Sequence, residues 1–159
     1  MTLDVALPII LSNEGGYSDD ADDPGGKTMH GITERVAREN GYHGAMQDMP
    51  IQIAANIYRV RYWDAARCDE YPWPLSLFVF DAAVNQGVLP AVKMLQATLS
   101  TVQDGIVGQT TKRLAKESTS WHWALYLATR AQRYQGTRNY DKFGRGWMTR
   151  LFVLAMAGK

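Results

Sequence analysis

The sequence predicts a mainly α protein, on three observations. Apolar residues recur at three- and four-residue spacing through most of the chain, a glycine or proline punctuates nearly every such stretch, and little remains with the alternating pattern of a strand. With 159 residues and 46% hydrophobic content, the chain can bury one good core, or a core with a small satellite, but hardly two full domains. No internal repeat or low-complexity segment interrupts it.

Taken in order, Leu3, Leu7, Ile10, Leu11 and Glu14 fall on one helical face and Gly15-Gly16 stops the run. A first helix is therefore expected to end at or next to Glu14, with Pro8 close to its start. Thr33 is placed to N-cap a helix through Asn40, ended by Gly41. Pro50 opens a further helix that carries Ile53, Ile57 and the aromatics Tyr58, Tyr62 and Trp63. In "LSLFVFDAAVNQG" the Phe78-Val79-Phe80 triplet favours a strand. The length and the spacing of Leu75, Phe78, Val79, Ala82, Ala83 and Gln86 favour instead a buried helix closed by Gly87. Pro90 opens the next helix, "VQDGIVGQTTKRLAKE" reads as a turn-rich loop entering a short helix, and "SWHWALYLATRAQRYQ" and "GWMTRLFVLAMA" supply two more.

Composition excludes several classes. Cys68 is the only cysteine, so no intrachain disulfide forms and a buried, inert thiol is expected. The run "VALPIIL" is too short and too interrupted for a signal sequence, and "LFVLAMAG" falls far below the roughly 20 residues of a spanning helix; the sequence reads as soluble and made in the cytoplasm. His30, His43 and His122 form no i, i+4 pair, so no zinc site is expected, and neither a G-x-S-x-G nor a phosphate loop is present. The net charge of +1 conceals an asymmetry: residues 1–88 hold 6 Lys/Arg against 13 Asp/Glu, a net −7, while residues 89–159 hold 11 against 3, a net +8. Arg130, Arg133, Arg138, Lys142, Arg145 and Arg150 interleave with Tyr134, Tyr140 and Trp147. That pattern fits a solvated helix face, a nucleic-acid surface or a patch attracted to a polyanionic envelope.

The most unusual stretch is "NEGGYSDDADDPGGKTMHGIT", Asn13 to Thr33. At the apolar C-terminal end of a helix, Glu14 is partly desolvated and faces the negative pole of the helix dipole, and both effects favour its protonated form, as a general acid requires. The alternative is a snorkelling or capping glutamate. The aspartates do not make a calcium loop: a register from Asp20 puts Pro24 at the fifth position and Gly31 at the twelfth, and one from Asp19 puts Ala21 and Pro24 where ligand and glycine belong. Glu14, Asp23 and Thr28 instead follow one another as E-x8-D-x4-T. Two carboxylates across a cleft are the minimum for glycoside hydrolysis, and a hydroxyl helps to place water. Tyr17, Tyr58, Tyr62 and Trp63 are either sugar-stacking residues or core aromatics at helical spacing.

The strings Glu14-Gly15-Gly16-Tyr17, Asp23-Pro24-Gly25-Gly26-Lys27-Thr28 and Gly31-Ile32-Thr33 resemble the opening of the glycoside hydrolase family 108 lysozyme-like muramidases. The likeness continues through "YRVRYWD" and "FDAAVNQG", and "LQATLSTVQDGIVGQTT" is similar to the small peptidoglycan-binding domain that follows the catalytic domain in that family. Ala21 stands where a proline is expected, and Gln86 where histidine is more usual.

The resemblance implies a lysozyme-like helical catalytic domain over residues 1–88 and a small helical peptidoglycan-binding domain over 89–159. It places the essential acid at Glu14 and leaves the partner carboxylate between Asp23 and Asp22, with Thr28 assisting. Tyr17, His30, Trp63 and Asn85 are the candidate substrate contacts. It implies bacterial peptidoglycan as partner, no nucleic acid, no stable membrane insertion, no metal or other cofactor, and a monomer. The implied activity is cleavage of the β-1,4 bond between N-acetylmuramic acid and N-acetylglucosamine by a phage-type endolysin. A lytic transglycosylase and a non-catalytic wall-binding or secretion-assisting module are the rival readings.

Overall fold

In the computed structural model of the chain, the described residues are 3–12, 16–19 and 26–158. Almost all regular structure among them is helical, which bears out the mainly α, lysozyme-like expectation. Packing divides the chain into two compact units, Thr2–Arg61 and Tyr62–Lys159.

The first unit contains α1 (Leu3–Ser12), a hairpin of β1 (Thr28–Met29) and β2 (Ile32–Thr33), α2 (Glu34–Glu39) and α3 (Ile51–Tyr58). Helix α1 buries Leu3, Ala6 and Ile10, an i, i+3, i+7 stripe. Pro8 lies inside α1 and not near its start. Its missing N–H removes one bond, to the carbonyl of Asp4, and Asp4 is on the exposed side, where water can serve that carbonyl. Thr33 caps α2 as expected, its Oγ1 accepting from Val36 N at 3.4 Å, and Asn40 closes the helix by donating to the Val36 and Ala37 carbonyls. Pro50 immediately precedes α3. Beyond Tyr58 the helix widens into a π-helical segment, Arg59–Asp64, where the sequence had suggested an uninterrupted helix.

The second unit is built on α4 (Leu75–Gln86), α5 (Val88–Thr98), α6 (Gln109–Lys116), α7 (Ser120–Gln135) and α8 (Tyr140–Ala157). The ambiguous "LSLFVFDAAV" is helical, and every residue from Leu75 to Ala83 is buried. A helix apolar on all sides belongs at the centre of its unit, and each of Leu77, Phe78, Val79 and Phe80 contributes about 1.5–3 kcal/mol on leaving water. The 88/89 division expected from the motifs falls at the first residue of α5, and α4 and α5 both lie in this one compact unit. Helix α8 begins six residues earlier than the expected Gly146, because Tyr140, Phe143 and Trp147 gather at its first turns and Tyr134 of α7 stacks on Trp147 at 4.9 Å. That packing overrides the helix cost of Gly144 and Gly146.

One charge interrupts α4, and the unit is organised round it. Asp81 is fully buried; its Oδ2 accepts from Arg130 Nη2 of α7 at 2.6 Å, and its Oδ1 from Arg150 Nε and Nη2 of α8 at 2.8 and 2.7 Å. Arg130 Nε also donates to Gln86 Oε1 at 3.1 Å. A carboxylate taken out of water costs several kcal/mol unless paired with good geometry, and two arginines supply that pairing here. Arg130 and Arg150 are therefore internal struts, which corrects their reading as part of a basic surface. Arg133, Arg138, Lys142 and Arg145 remain exposed.

Asp81→Asn would leave two guanidinium groups facing a neutral amide in the interior. The expected loss is about 3–5 kcal/mol of unfolding free energy, read as a lowered urea midpoint. A loss below about 1 kcal/mol, the scale of an exposed pair, would show that this network is not what secures the three helices.

Candidate active site

The described part of the candidate site is built on the β1–β2 hairpin. Thr28 pairs with Thr33 and Met29 with Ile32, leaving His30-Gly31 as the two-residue turn. Both turn residues have positive φ, 51° and 73°, the pattern of a type I′ turn, whose twist suits two antiparallel strands. Tyr58 of α3, itself buried, donates from Oη to the His30 carbonyl at 3.1 Å and holds the turn in place. Ile32 is buried at the start of β2, and Thr33 caps α2. Gly31-Ile32-Thr33 is thus a turn, a core anchor and a cap in succession.

A second pairing draws the preceding segment onto this hairpin. Ser18 N donates to Thr28 O at 2.9 Å and Thr28 N to Ser18 O at 2.8 Å, so the chain leaving at Asp19 and returning at Gly26 is pinched at its base. Glu34 N donates to Lys27 O at 2.8 Å, which fastens the same strand to the first turn of α2. Thr28 Oγ1 donates to the Gly26 carbonyl at 3.3 Å. Tyr17 is 40% exposed and its hydroxyl donates to Asp19 Oδ2 at 3.2 Å. Partial burial first, and the Asp19 carboxylate second, push the Tyr17 phenol above its ordinary pKa, so it remains a neutral donor.

Glu14, Asp22 and Asp23 lie outside the described residues. Thr28 lies in β1 and His30 in the hairpin turn, and Tyr17 directly precedes Ser18, which bridges to Thr28. Trp63 and Asn85 belong to the other compact unit. Trp63 is 1% exposed with Phe80 against it edge-on at 5.2 Å, which is the core alternative of the two readings of that aromatic. Asn85 is exposed near the end of α4 and donates to the Asp81 carbonyl at 2.9 Å. Among the described residues no three His, Cys, Asp or Glu side chains stand close enough to hold a metal ion, and no helix is long and apolar enough to cross a membrane. Cys68 is fully buried, and burial pushes its thiol well above the usual range.

The second motif, "LQATLSTVQDGIVGQTT", folds around buried Gln96. Its Nε2 donates to Asp104 Oδ1 at 2.7 Å and to the Ile106 carbonyl at 3.1 Å, while its Oε1 accepts from Gly105 N at 2.8 Å. The Ile106 amide, then the Gln96 side chain, hold the Asp104 carboxyl below its ordinary range. Gly105 takes φ 80°, and a Cβ there would meet Leu89 Cδ1 at 2.2 Å. Sequence reasoning passed over Ser18, Tyr58, Gln96 and Asp81 as positioning residues. Only Asp81 left a signal, as the lone charge in an apolar run.

If the hairpin frames the site, its turn chemistry sets local stability. His30→Asn, which tolerates positive φ, should change the unfolding free energy by less than about 0.5 kcal/mol, whereas Gly31→Val should cost at least about 1 kcal/mol. Equal effects of the two substitutions in denaturant titrations would refute the type I′ assignment.

The sequence model of the family described as Glycosyl hydrolase 108 matches residues 7–87, just over half of the chain. Among solved structures the chain is similar to that titled "Structure of Brucella abortus SagA", with 30% identity, a TM-score of 0.85, and coverage of 98% of this chain and 92% of that one. The comparison with curated proteins gave no match. On the family match and the whole-length likeness together, the chain belongs to glycosyl hydrolase family 108.

Proposed function

We propose that this glycoside hydrolase acts on bacterial peptidoglycan as an N-acetylmuramidase, cleaving the β-1,4 bond between N-acetylmuramic acid and N-acetylglucosamine. One observation carries the reading: in a chain of this family, Ser18, next to the exposed phenol of Tyr17, is paired through its backbone with Thr28 of the hairpin, within the motif that runs from Glu14 to Thr33. Glu14 protonates the leaving glycosidic oxygen. Asp23, with Asp22 beside it in sequence, positions water or stabilises the positive charge that develops on the sugar, and the Thr28 hydroxyl assists. Tyr17 and His30 contact the glycan from the hairpin side.

In this reading, residues 1–88 form the catalytic domain and residues 89–159 the wall-binding one. Two features support the second assignment: the loop pinned by Gln96, and the exposed cations Arg133, Arg138, Lys142 and Arg145, which suit a polyanionic envelope. The setting we propose is that of a phage-type endolysin, made in the bacterial cytoplasm and acting on the wall after release; the resemblance of the opening motif supports it.

Mass spectrometry of muropeptides released from purified cell wall tests the reaction. A new reducing end with water added is the expected product. A 1,6-anhydro product would make the protein a lytic transglycosylase, and no product would make it a wall-binding module.

Glu14→Gln should retain the fold and lose about 10²- to 10⁴-fold in wall-clearing rate, because the amide cannot deliver a proton. Asp23→Asn should be severely impaired, while Asp19→Asn and Asp20→Asn keep most activity; a reversed ranking relocates the second carboxylate. Replacing Arg133, Arg138 and Arg145 together by Gln should weaken binding to whole cell walls and flatten its salt dependence, with turnover of short soluble glycans nearly unchanged. Wall binding equal to the parent at low salt would leave those cations without a targeting role.

A further inference from the structure

On the first unit, α1 and α3 border a groove of about 270 Å³. Leu3 and Leu7 of α1 and Ala55 of α3 give it an apolar floor, and Asp4, Gln52, Asn56 and Arg59 line it as well. All four polar side chains are exposed. Positions 52, 56 and 59 follow the i, i+4, i+7 spacing of one helical face. Arg59 stands where α3 gives way to the π-helical segment, an irregularity that functional sites often use.

The charges in this groove differ from their neighbours on the same unit. Arg35 and Arg61 are ion-paired with Glu39, and Arg38 with Glu34. Among the described residues, Asp4 and Arg59 make no side-chain hydrogen bond or ion pair, although both line one groove, and Gln52 and Asn56 make none either. Pro8 adds a further acceptor, because without an N–H there the Asp4 carbonyl lacks its helical partner. An unpaired carboxylate, an unpaired guanidinium and two amides over an apolar floor make a specific demand. Asp4 repels a nucleic acid or an anionic membrane, Arg59 repels a lone cation, and a neutral glycan leaves both charges unused. A ligand that carries an ammonium and a carboxylate on an aliphatic body uses every one of these groups. The volume lies just under the roughly 300–1,000 Å³ of pockets that enclose a whole small ligand, so the groove takes one residue of a longer chain.

We propose that this groove binds the free end of a diamino acid in the peptide stem of peptidoglycan, with its ammonium on Asp4, its carboxylate on Arg59 and its methylene chain on the apolar floor. The identity of the ligand rests on the wall-hydrolase reading above. Gln52 and Asn56, which can each donate and accept, serve the remaining polar atoms. A stem whose distal amine has been acylated in a cross-link has lost the cation, so the groove selects stems that are not cross-linked through that amine. The protein then reads the cross-linking state of the wall as well as its glycan.

Isothermal titration calorimetry of the full chain with three synthetic stem peptides tests this without any bond being cleaved. The first is N-acetyl-L-alanyl-γ-D-glutamyl-meso-diaminopimelate. The second has its distal amine acetylated, and the third carries L-lysine in place of the diaminopimelate and so lacks the distal carboxylate. The parent should bind the first at least about tenfold more tightly than either of the others, the scale of one lost charge-assisted contact. Asp4→Asn should lose the preference for the free amine and Arg59→Gln the preference for the distal carboxylate, each with a melting temperature like the parent's. No binding of the first peptide by the parent, equal affinity for all three, or variants that keep both preferences would each overturn the proposal. Tighter binding of free meso-diaminopimelate than of the first peptide would overturn it too and give the groove to a free amino acid. Peptide binding with these preferences by a chain that releases no muropeptide would sustain the proposal and refute the muramidase reading alone; muropeptide release without peptide binding would do the reverse.

Discussion

The larger unit is arranged around one unavoidable cost, the burial of the Asp81 carboxylate in a helix that is otherwise apolar on every side. An unpaired carboxylate there would be intolerable, so α7 and α8 must each deliver an arginine to it, at a fixed depth along α4. Hydrophobic burial brings the helices together without dictating their register. The two ion pairs do dictate it, because a guanidinium displaced by one helical turn, about 5.4 Å, no longer reaches the carboxylate. Stacking of Tyr134 on Trp147 and the bond from Arg130 to Gln86 then follow from that register.

Much of the fold was legible because local chemistry and tertiary context agree. Thr33 caps, Pro50 precedes a helix, Gly87 separates two, and the spacing within "LSLFVFDAAVNQG" outweighed the strand propensity of its aromatics. Where the reading fell short, a long-range partner decided the matter. Arg130 and Arg150 look like their basic neighbours until Asp81, 49 and 69 residues away, is placed beside them. Pro8 was assigned to a helix start by its usual preference, yet neighbouring burial carries α1 straight through it. No periodicity announces that α3 widens into a π segment at Arg59.

The candidate site shows the same division. Its most recognisable strings are largely scaffold: Gly31 turns, Ile32 anchors, Thr33 caps, and Thr28, opposite Thr33 in the hairpin, commits both its backbone N–H and its carbonyl to Ser18. Such residues are legible because strict backbone demands leave few choices of side chain. The candidate carboxylates Glu14, Asp22 and Asp23 lie outside the described residues, and the motif and its spacing are their mark in the sequence.

The pinch between Ser18 and Thr28 also bears on how this protein can diversify. A loop whose two ends are fixed by a pair of main-chain bonds can be lengthened or rewritten without disturbing what lies below it, since each doubling of its length adds only about 0.6 kcal/mol of closure entropy. The segment between Asp19 and Gly26 is in that sense a cassette. Grafting it between relatives would exchange its acidic residues while the hairpin, the Thr33 cap and buried Ile32 keep their own bonds and packing, so this stretch can vary at little risk to the fold.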